Sequence, residues 1–332
     1  MNTPASRPTL VTVARLAGVS VASASRVLSG GQATAEMERR VREAAAQLGY
    51  VPDTAARSLR ARRTNQLAFA VPDVGNPAYV AMMRGIESVT RESGYRLLVQ
   101  STGGDIDEEL SLIQSLGQRY VDGLIIVPIR ITDGLLRALA MTAAPIAVVT
   151  SLPDGAPVDN VRTDSVLGVT SVIEHLLGTG RRAFAMVNGP ADTVPGAERR
   201  RGFEAAVQAA GMRPLAVETA DDFTYADGLV AARRLLAGCR PDAIVCGNDL
   251  LAFAVIRALR ERDLDVPADV AVVGIDDTDL AEMHLPSLTS VSLESGPRGR
   301  LAARMLLDRI ANPDLPPRRE KVLPRLVVRE SA

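Results

Sequence analysis

The chain has 332 residues, enough for two or three domains with substantial cores. Hydrophobic residues make up 47% of it and aromatic ones only 3%, so its packing is aliphatic and alanine-rich, and no stretch reaches the roughly 18 uninterrupted apolar residues of a membrane span. The formal net charge of −1 conceals an asymmetry: residues 1–63 carry ten arginines against four acids, a net of +6, and the remainder a net of −7.

A basic head on an acidic body places a polyanion partner at the head. The start of the chain has no long apolar run before its first helices, so no secretory signal is expected. Cys239 and Cys246 have neither metal-ligand nor disulfide spacing and read as reduced thiols of a cytoplasmic protein.

The first periodic stretch is TVARLAGVSVASASRVL, residues 12–28. A short helix is expected from Thr12, whose hydroxyl can cap free backbone N–H groups, with Val13, Leu16 and Ala17 on one buried stripe. Gly18 ends it in the left-handed conformation. Ser20 is a good N-cap for a second helix, Val21–Leu28, whose outward residues Ala22, Ser23, Ser25 and Arg26 are small or polar. Two short helices joined by a glycine turn form a helix-turn-helix, and the second fits a DNA major groove. Small side chains let the backbone approach the bases, and Arg26 can pair bidentately with guanine or a phosphate. By itself the pair reads equally as a helical hairpin at the edge of an all-α domain.

Thr34 caps a third helix to about Leu48, with Met37, Val41, Ala44, Ala45 and Leu48 inward, and Gly49 ends it. Tyr50-Val51-Pro52 then leads out extended, because of the proline. The next stretch, Asp53 to Arg60, is a helix of about two turns, too short to persist alone in water. DNA or a partner subunit must hold it.

These residues carry a resemblance. PTLVTVARLAGVSVASASRVLSG, followed by LGYVPDTAARSLR, is similar to the head of the lac repressor (LacI/GalR) family. Departures are Thr12 for the common Asp, Ser23-Ala24 for Thr-Val, Ser29 for Asn, and Asp53 for Asn. The resemblance implies that Val21 and Ala22 open the recognition helix and help select bases. Ser23, Ser25 and Arg26 add base or phosphate contacts, and Thr12 and Ser20, at the two helix starts, complete the set. Leu59, with Ala56 beside it, would enter the minor groove at the centre of a palindrome, where an apolar wedge kinks the duplex.

From Gln66 onward, apolar runs alternate with helix-length stretches. Strands are expected at 67–71, 96–100, 123–127, 146–150, 183–187, 243–246 and 270–274. Amphipathic segments lie at 79–92, 108–116, 166–177, 197–209, 226–236 and 250–260. This alternation argues parallel sheets with helices on both faces, in two similar halves. Such sheets bind ligands beyond the carboxyl ends of their strands, and two facing each other make a cleft.

The resemblance continues through VPDVGNPAYVAMMRGIE, YVDGLIIVP, IEHLLGTGRR, PDAIVCGNDLLAFAVIRAL, VPADVAVVGIDDTDLA and PSLTSV. It implies a small all-α helix-turn-helix head plus an α/β, two-lobed periplasmic-binding-protein-like (type I) effector domain. The expected divisions are a head at 1–50, a hinge helix and linker at 51–63, and a body at 64–332. Lobe one would hold about 64–161 and 292–312, and lobe two 162–291 and 313–332.

In the cleft, Asn248 and Asp276 follow strand ends, and Asp164 follows the crossover at 161–163. Arg199, in AERRRGF, stands where the family places a ligand-gripping arginine. Tyr79 and Phe223 supply flat faces. Carboxylates accepting and an arginine donating suit a polyhydroxylated effector, a sugar or sugar derivative, although with no Trp for ring stacking a nucleobase or an organic acid stays open beside it. Gly103-Gly104-Asp105 lacks the rest of a phosphate loop, and Asp276-Asp277 lacks a third acid or a histidine for metal or acid–base work. His175 and His284 lie apart, and His175 falls inside a helix pattern. No metal, cofactor or catalytic pairing is expected. The reading is a regulator, most simply a repressor, acting as a homodimer or dimer of dimers on palindromic operator DNA, its affinity switched by a small effector. The alternatives are a small-molecule receptor with no DNA role and, more remotely, an enzyme on an α/β scaffold.

Overall fold

The computed structural model describes residues 8–29, 31–51 and 63–332. Contacts divide the chain into two compact units, Met1–Thr64 and Asn65–Ala332. Asp53, Ala56, Leu59 and the expected hinge helix lie outside the described residues.

Among its described residues the first unit contains three helices: α1 (Leu10–Ala17), α2 (Val21–Leu28) and α3 (Ala35–Leu48). The start of α1 differs from expectation. Thr9 is the N-cap and Thr12 lies three residues inside, the two forming a reciprocal capping box: Thr9 N–H donates to Thr12 Oγ1 (2.9 Å) and Thr12 N–H to Thr9 Oγ1 (3.3 Å). The buried stripe is Val13, Ala14 and Ala17, which pack on the other two helices, and Leu16 is exposed. Gly18 takes φ +63 at the end of α1, where a side chain would also meet the Arg40 guanidinium. Arg40 reaches from α3 to donate to the Ala17 and Gly18 carbonyls, supplying donors to the open end of α1. Helices α1 and α2 are bent 103° from each other, within the range of a helix-turn-helix. Val13, Ala24, Val27, Val41 and Ala44 close the core between the three helices; alanines there bring the backbones close.

The second unit is built on two six-stranded sheets. The chain first lays down β1 (Gln66–Val71), β2 (Arg96–Ser101), β3 (Gly123–Ile126), β4 (Ile146–Val148) and β5 (Asp159–Thr163). Helices α4 (Pro77–Glu92), α5 (Ile106–Ser115) and α6 (Asp133–Met141) connect them. It then forms β6 (Phe184–Asn188), β7 (Ala216–Thr219), β8 (Ala243–Cys246), β9 (Ala271–Ile275) and β10 (Thr289–Ser292). Around these lie α7 (Ser165–Gly178), α8 (Val194–Ala209), α9 (Tyr225–Gly238), α10 (Asp249–Arg260) and the short α11 (Asp279–Met283). Helix α12 (Ser295–Ala311) returns to pack on the first sheet, β11 (Arg319–Val322) joins that sheet, and β12 (Arg325–Val327) joins the second.

The sheet orders are β11-β5-β4-β3-β1-β2 and β12-β10-β9-β8-β6-β7, parallel throughout except for β12 against β10. Cores lie on both faces of each sheet, so the central strands read as unbroken apolar runs. The tail does not belong wholly to lobe two. Glu320 pairs with Val161 in the first sheet, and only after Pro324 does the chain pass to the second. The reason is edge chemistry: Arg-Glu-Lys-Val is a charged edge strand that covers β5 with little apolar signal of its own. Thr163 also pairs in the first sheet and Ser292 in the second, each just across the expected boundary. Among the described residues no single helix is long and apolar enough to cross a membrane.

Candidate functional site

Three stretches pass between the lobes, and the carboxyl ends of both sheets face a cleft holding a cavity of about 280 Å³. Five of the six expected residues line it: Tyr79, Arg199, Phe223, Asn248 and Asp276, with Asp164 the exception. Asp164 N-caps α7, accepting from Leu167 N–H at 2.9 Å, and its other oxygen pairs with Lys321 Nζ at 2.6 Å. Its acceptors are spent at the joint between the lobes rather than in the cleft.

The floor is organised around Arg199 and Asp276. Thr193 caps α8 and Pro195 sits in its first turn, which fixes the helix so that Arg199 projects inward. Arg199 donates to the Gly247 carbonyl, stands 3.6 Å from Asp276 Oδ1, and lies 5.6 Å above the Phe223 ring. Its Nε has no hydrogen-bond partner among the described residues. Asp276 follows β9 with φ +117, and Asp277 follows with φ +54. Such angles in non-glycine residues cost about 1–3 kcal/mol each and collect at sites of function. Asp277 is tied down by Arg329 (2.7 Å), whereas among the described residues the Asp276 carboxyl has only the Arg199 contact.

Burial pushes the Asp276 carboxyl above the usual carboxylate range, against the pull of Arg199 and Arg298. Burial, and then the charge of Asp276, does the same to Asp249, which accepts from Thr278 and Ser290 beneath it. Burial and the Asp276 charge raise the Tyr79 phenol as well. Asn248 lines the cavity but is largely engaged: its Oδ1 caps α10 at Leu251 N–H (2.9 Å) and its Nδ2 donates to the Phe223 carbonyl (3.0 Å).

Two features were not foreseen. Arg298, on α12, lines the cavity with only 8% of its surface exposed. At the mouth, Arg130 of the first lobe grips Asp192 of the second (Nε to Oδ2, 2.7 Å), and Val194 N–H donates to the Ile129 carbonyl at 2.7 Å, so the lobes stand closed. A sequence signal existed for Arg298: it falls on the same helical stripe as Ser295, Ala302 and Met305, where a charge is out of place.

Val21, Ala22 and Arg26 are exposed on α2, and Ser23 and Ser25 are half-exposed. Ser20 caps α2, accepting from Ser23 N–H at 3.0 Å, and Thr12 is occupied in its capping box. Among the described residues no group of three or more His, Cys, Asp or Glu is placed to hold a metal.

Residues 9–53 match the description "Bacterial regulatory proteins, lacI family", and residues 173–332 match "Periplasmic binding protein-like domain". The ribose operon repressor of Escherichia coli (strain K12) is 34% identical over 331 residues, covering 98% of this chain and 99% of that protein. The chain belongs to the LacI family. The LacI-family regulator CelR of Thermobifida fusca is 36% identical over 336 residues, with 98% of each chain covered. Among solved structures, a CelR–cellobiose complex superposes with a TM-score of 0.73 at 34% identity, covering 98% of this chain and 100% of the other. The lac repressor dimer bound to operator and the anti-inducer ONPF gives 0.87 at 24% identity over 98% of both chains, a likeness of fold. This LacI-family chain is a DNA-binding transcriptional regulator. The match at its head sets aside the reading as a receptor without a DNA role.

Proposed function

We propose that this regulator is a repressor that binds palindromic operator DNA as a homodimer and is switched by a small carbohydrate held between the lobes of its body. The observation that carries the reading is the buried Arg199–Asp276 pair at the floor of the cleft, in a chain whose head presents Val21, Ala22 and Arg26 outward from a helix-turn-helix. A guanidinium donating and a carboxylate accepting suit ligand hydroxyls. Relatives support the ligand class: CelR has been solved with cellobiose, and a LacI-family regulator from Enterococcus faecium with ribose.

A dimer is supported by exposed apolar side chains on the body. Leu98 and Val99 stand on the edge strand β2, and Met283 and Leu285 are 73% and 74% exposed. Two heads then read two half-sites, with residues 51–63 of each chain at the centre. An effector that binds the closed lobes better than the open ones shifts how the two bodies hold their heads, which couples the sites in the thermodynamic sense. The protein acts in the cytoplasm by binding and without turnover.

The test is a mobility shift at fixed salt with Arg26→Ala and Leu59→Ala. A lost bidentate base or phosphate contact is worth about 1–3 kcal/mol, so Arg26→Ala weakens operator binding at least about fivefold. If neither substitution weakens it, the assigned contacts are wrong.

A further inference from the structure

The second arginine of the cleft gives the site a charge that a neutral sugar does not need. Arg298 lines the cavity with 8% of its surface exposed, and the only hydrogen bond of its guanidinium among the described residues is a long one, Nη2 to Ser295 Oγ at 3.4 Å. Its Nε is buried with no partner, and none of its nitrogens forms an ion pair with a described carboxylate. The nearest acids are committed elsewhere. Glu294 pairs with Arg325 at 2.7 Å, and Asp276 lies against Arg199. A guanidinium has five donors, and leaving them unmade in a desolvated site is costly. Burial lowers the Arg298 pKa to about 10, which still leaves the group charged at neutral pH.

We propose that the effector is an acidic monosaccharide, a hexuronate or aldonate, whose carboxylate docks on Arg298 while its hydroxyls are read by Arg199 and Asp276. The proposal rests on the reading of the cleft as a carbohydrate site and narrows its ligand. Of the two buried guanidiniums, Arg199 has Asp276 beside it and Arg298 has no carboxylate within ion-pair distance among the described residues, so Arg298 brings an unbalanced positive charge to the cavity. A monoanion balances it, and a phosphate ester overshoots. Bidentate pairing with a carboxylate is also the geometry that arginine serves best. Of the other acids around the cavity, Asp73, Asp221 and Asp222 are exposed to solvent, Asp192 is paired with Arg130, and Glu198 is half-buried on α8. A cavity of about 280 Å³ holds one sugar ring.

Isothermal titration of the full-length chain tests it, with D-glucuronate, D-galacturonate, D-gluconate and D-galactonate set against D-glucose, D-galactose and D-glucose 6-phosphate. At least one acid is expected to bind tenfold or more tightly than its neutral counterpart. Arg298→Met, which fills the same space without burying a charge, should erase that advantage, and Arg298→Lys should keep part of it. Tighter binding of a neutral sugar or of the phosphate ester overturns the proposal, as does an acid preference that survives Arg298→Met or a panel in which nothing binds. Operator binding, measured separately, bears on the regulator reading and not on this one.

Discussion

At Asp276, two costs of the native state coincide: a carboxylate taken out of water and a backbone at φ +117. Asparagine removes the first and tolerates the second at least as well, while Arg199 keeps the Gly247 carbonyl and the Phe223 ring. Asp276→Asn is therefore expected to melt at or above the temperature of the parent in a thermal scan, yet to bind effector at least about tenfold more weakly by calorimetry, because a hydroxyl acceptor is gone. Glu109 shows the same conflict away from the cleft. It is 2% exposed on α5, and burial raises its pKa from 4.5 to about 7, against a hydrogen bond from Thr102 and the charge of Arg130. An acid whose pKa rises on folding holds its proton more tightly when folded, so its contribution is fullest below pH 4.5 and is lost as pH climbs towards 7. Glu109→Gln should stabilise the protein by about 2 kcal/mol at pH 8 and make little difference near pH 4.5, read from denaturant titrations at both values.

Among the elements, the pairing of α4 with α12 depends on two glycines. A Cβ on Gly85 would overlap the Gly296 carbonyl oxygen, and one on Gly299 would overlap that of Met82. Alanine is the better helix former by about 1 kcal/mol, but overpacking against backbone costs about 1–3 kcal/mol or more, because no rotamer can relieve it. Packing wins, so Gly85→Ala should lower the melting temperature of the body. Legibility from sequence follows the same division. Strands β1, β3, β6 and β8 are covered on both faces and declare themselves as apolar runs. Strands β7 and β11 are short, partly exposed edges whose polar residues read as loop, and α6, although capped by Thr132, is not among the expected helices. Thr12 was placed at a helix start because either threonine of the capping box can cap, and only the backbone decides between them. Asp164 has the residue type and the position of a ligand contact, but Lys321, brought beside it by the unforeseen β11, takes its free oxygen.

For the molecule as a whole, the question is how firmly the body stays shut. Arg130 and Asp192 clasp across the mouth, with side chains 28% and 65% exposed. Pairs this wet contribute at most about 1 kcal/mol, roughly fivefold in an equilibrium, and the Val194–Ile129 backbone hydrogen bond persists without them. Arg130→Ala should accordingly weaken effector binding by less than about fivefold and raise the radius of gyration of the ligand-free protein in X-ray scattering. A larger loss of affinity would mean that Arg130 touches the ligand itself.

The chain contains thirty-seven arginines and one lysine, Lys321, and that lysine stands on β11 against Asp164, where the strands change lobes. Besides the N-terminal α-amine, amine-reactive chemistry thus meets a single side chain, beside the point where the chain passes from one sheet to the other. A fluorophore attached there would track opening and closing with no engineered attachment point, and at the cost of one surface ion pair.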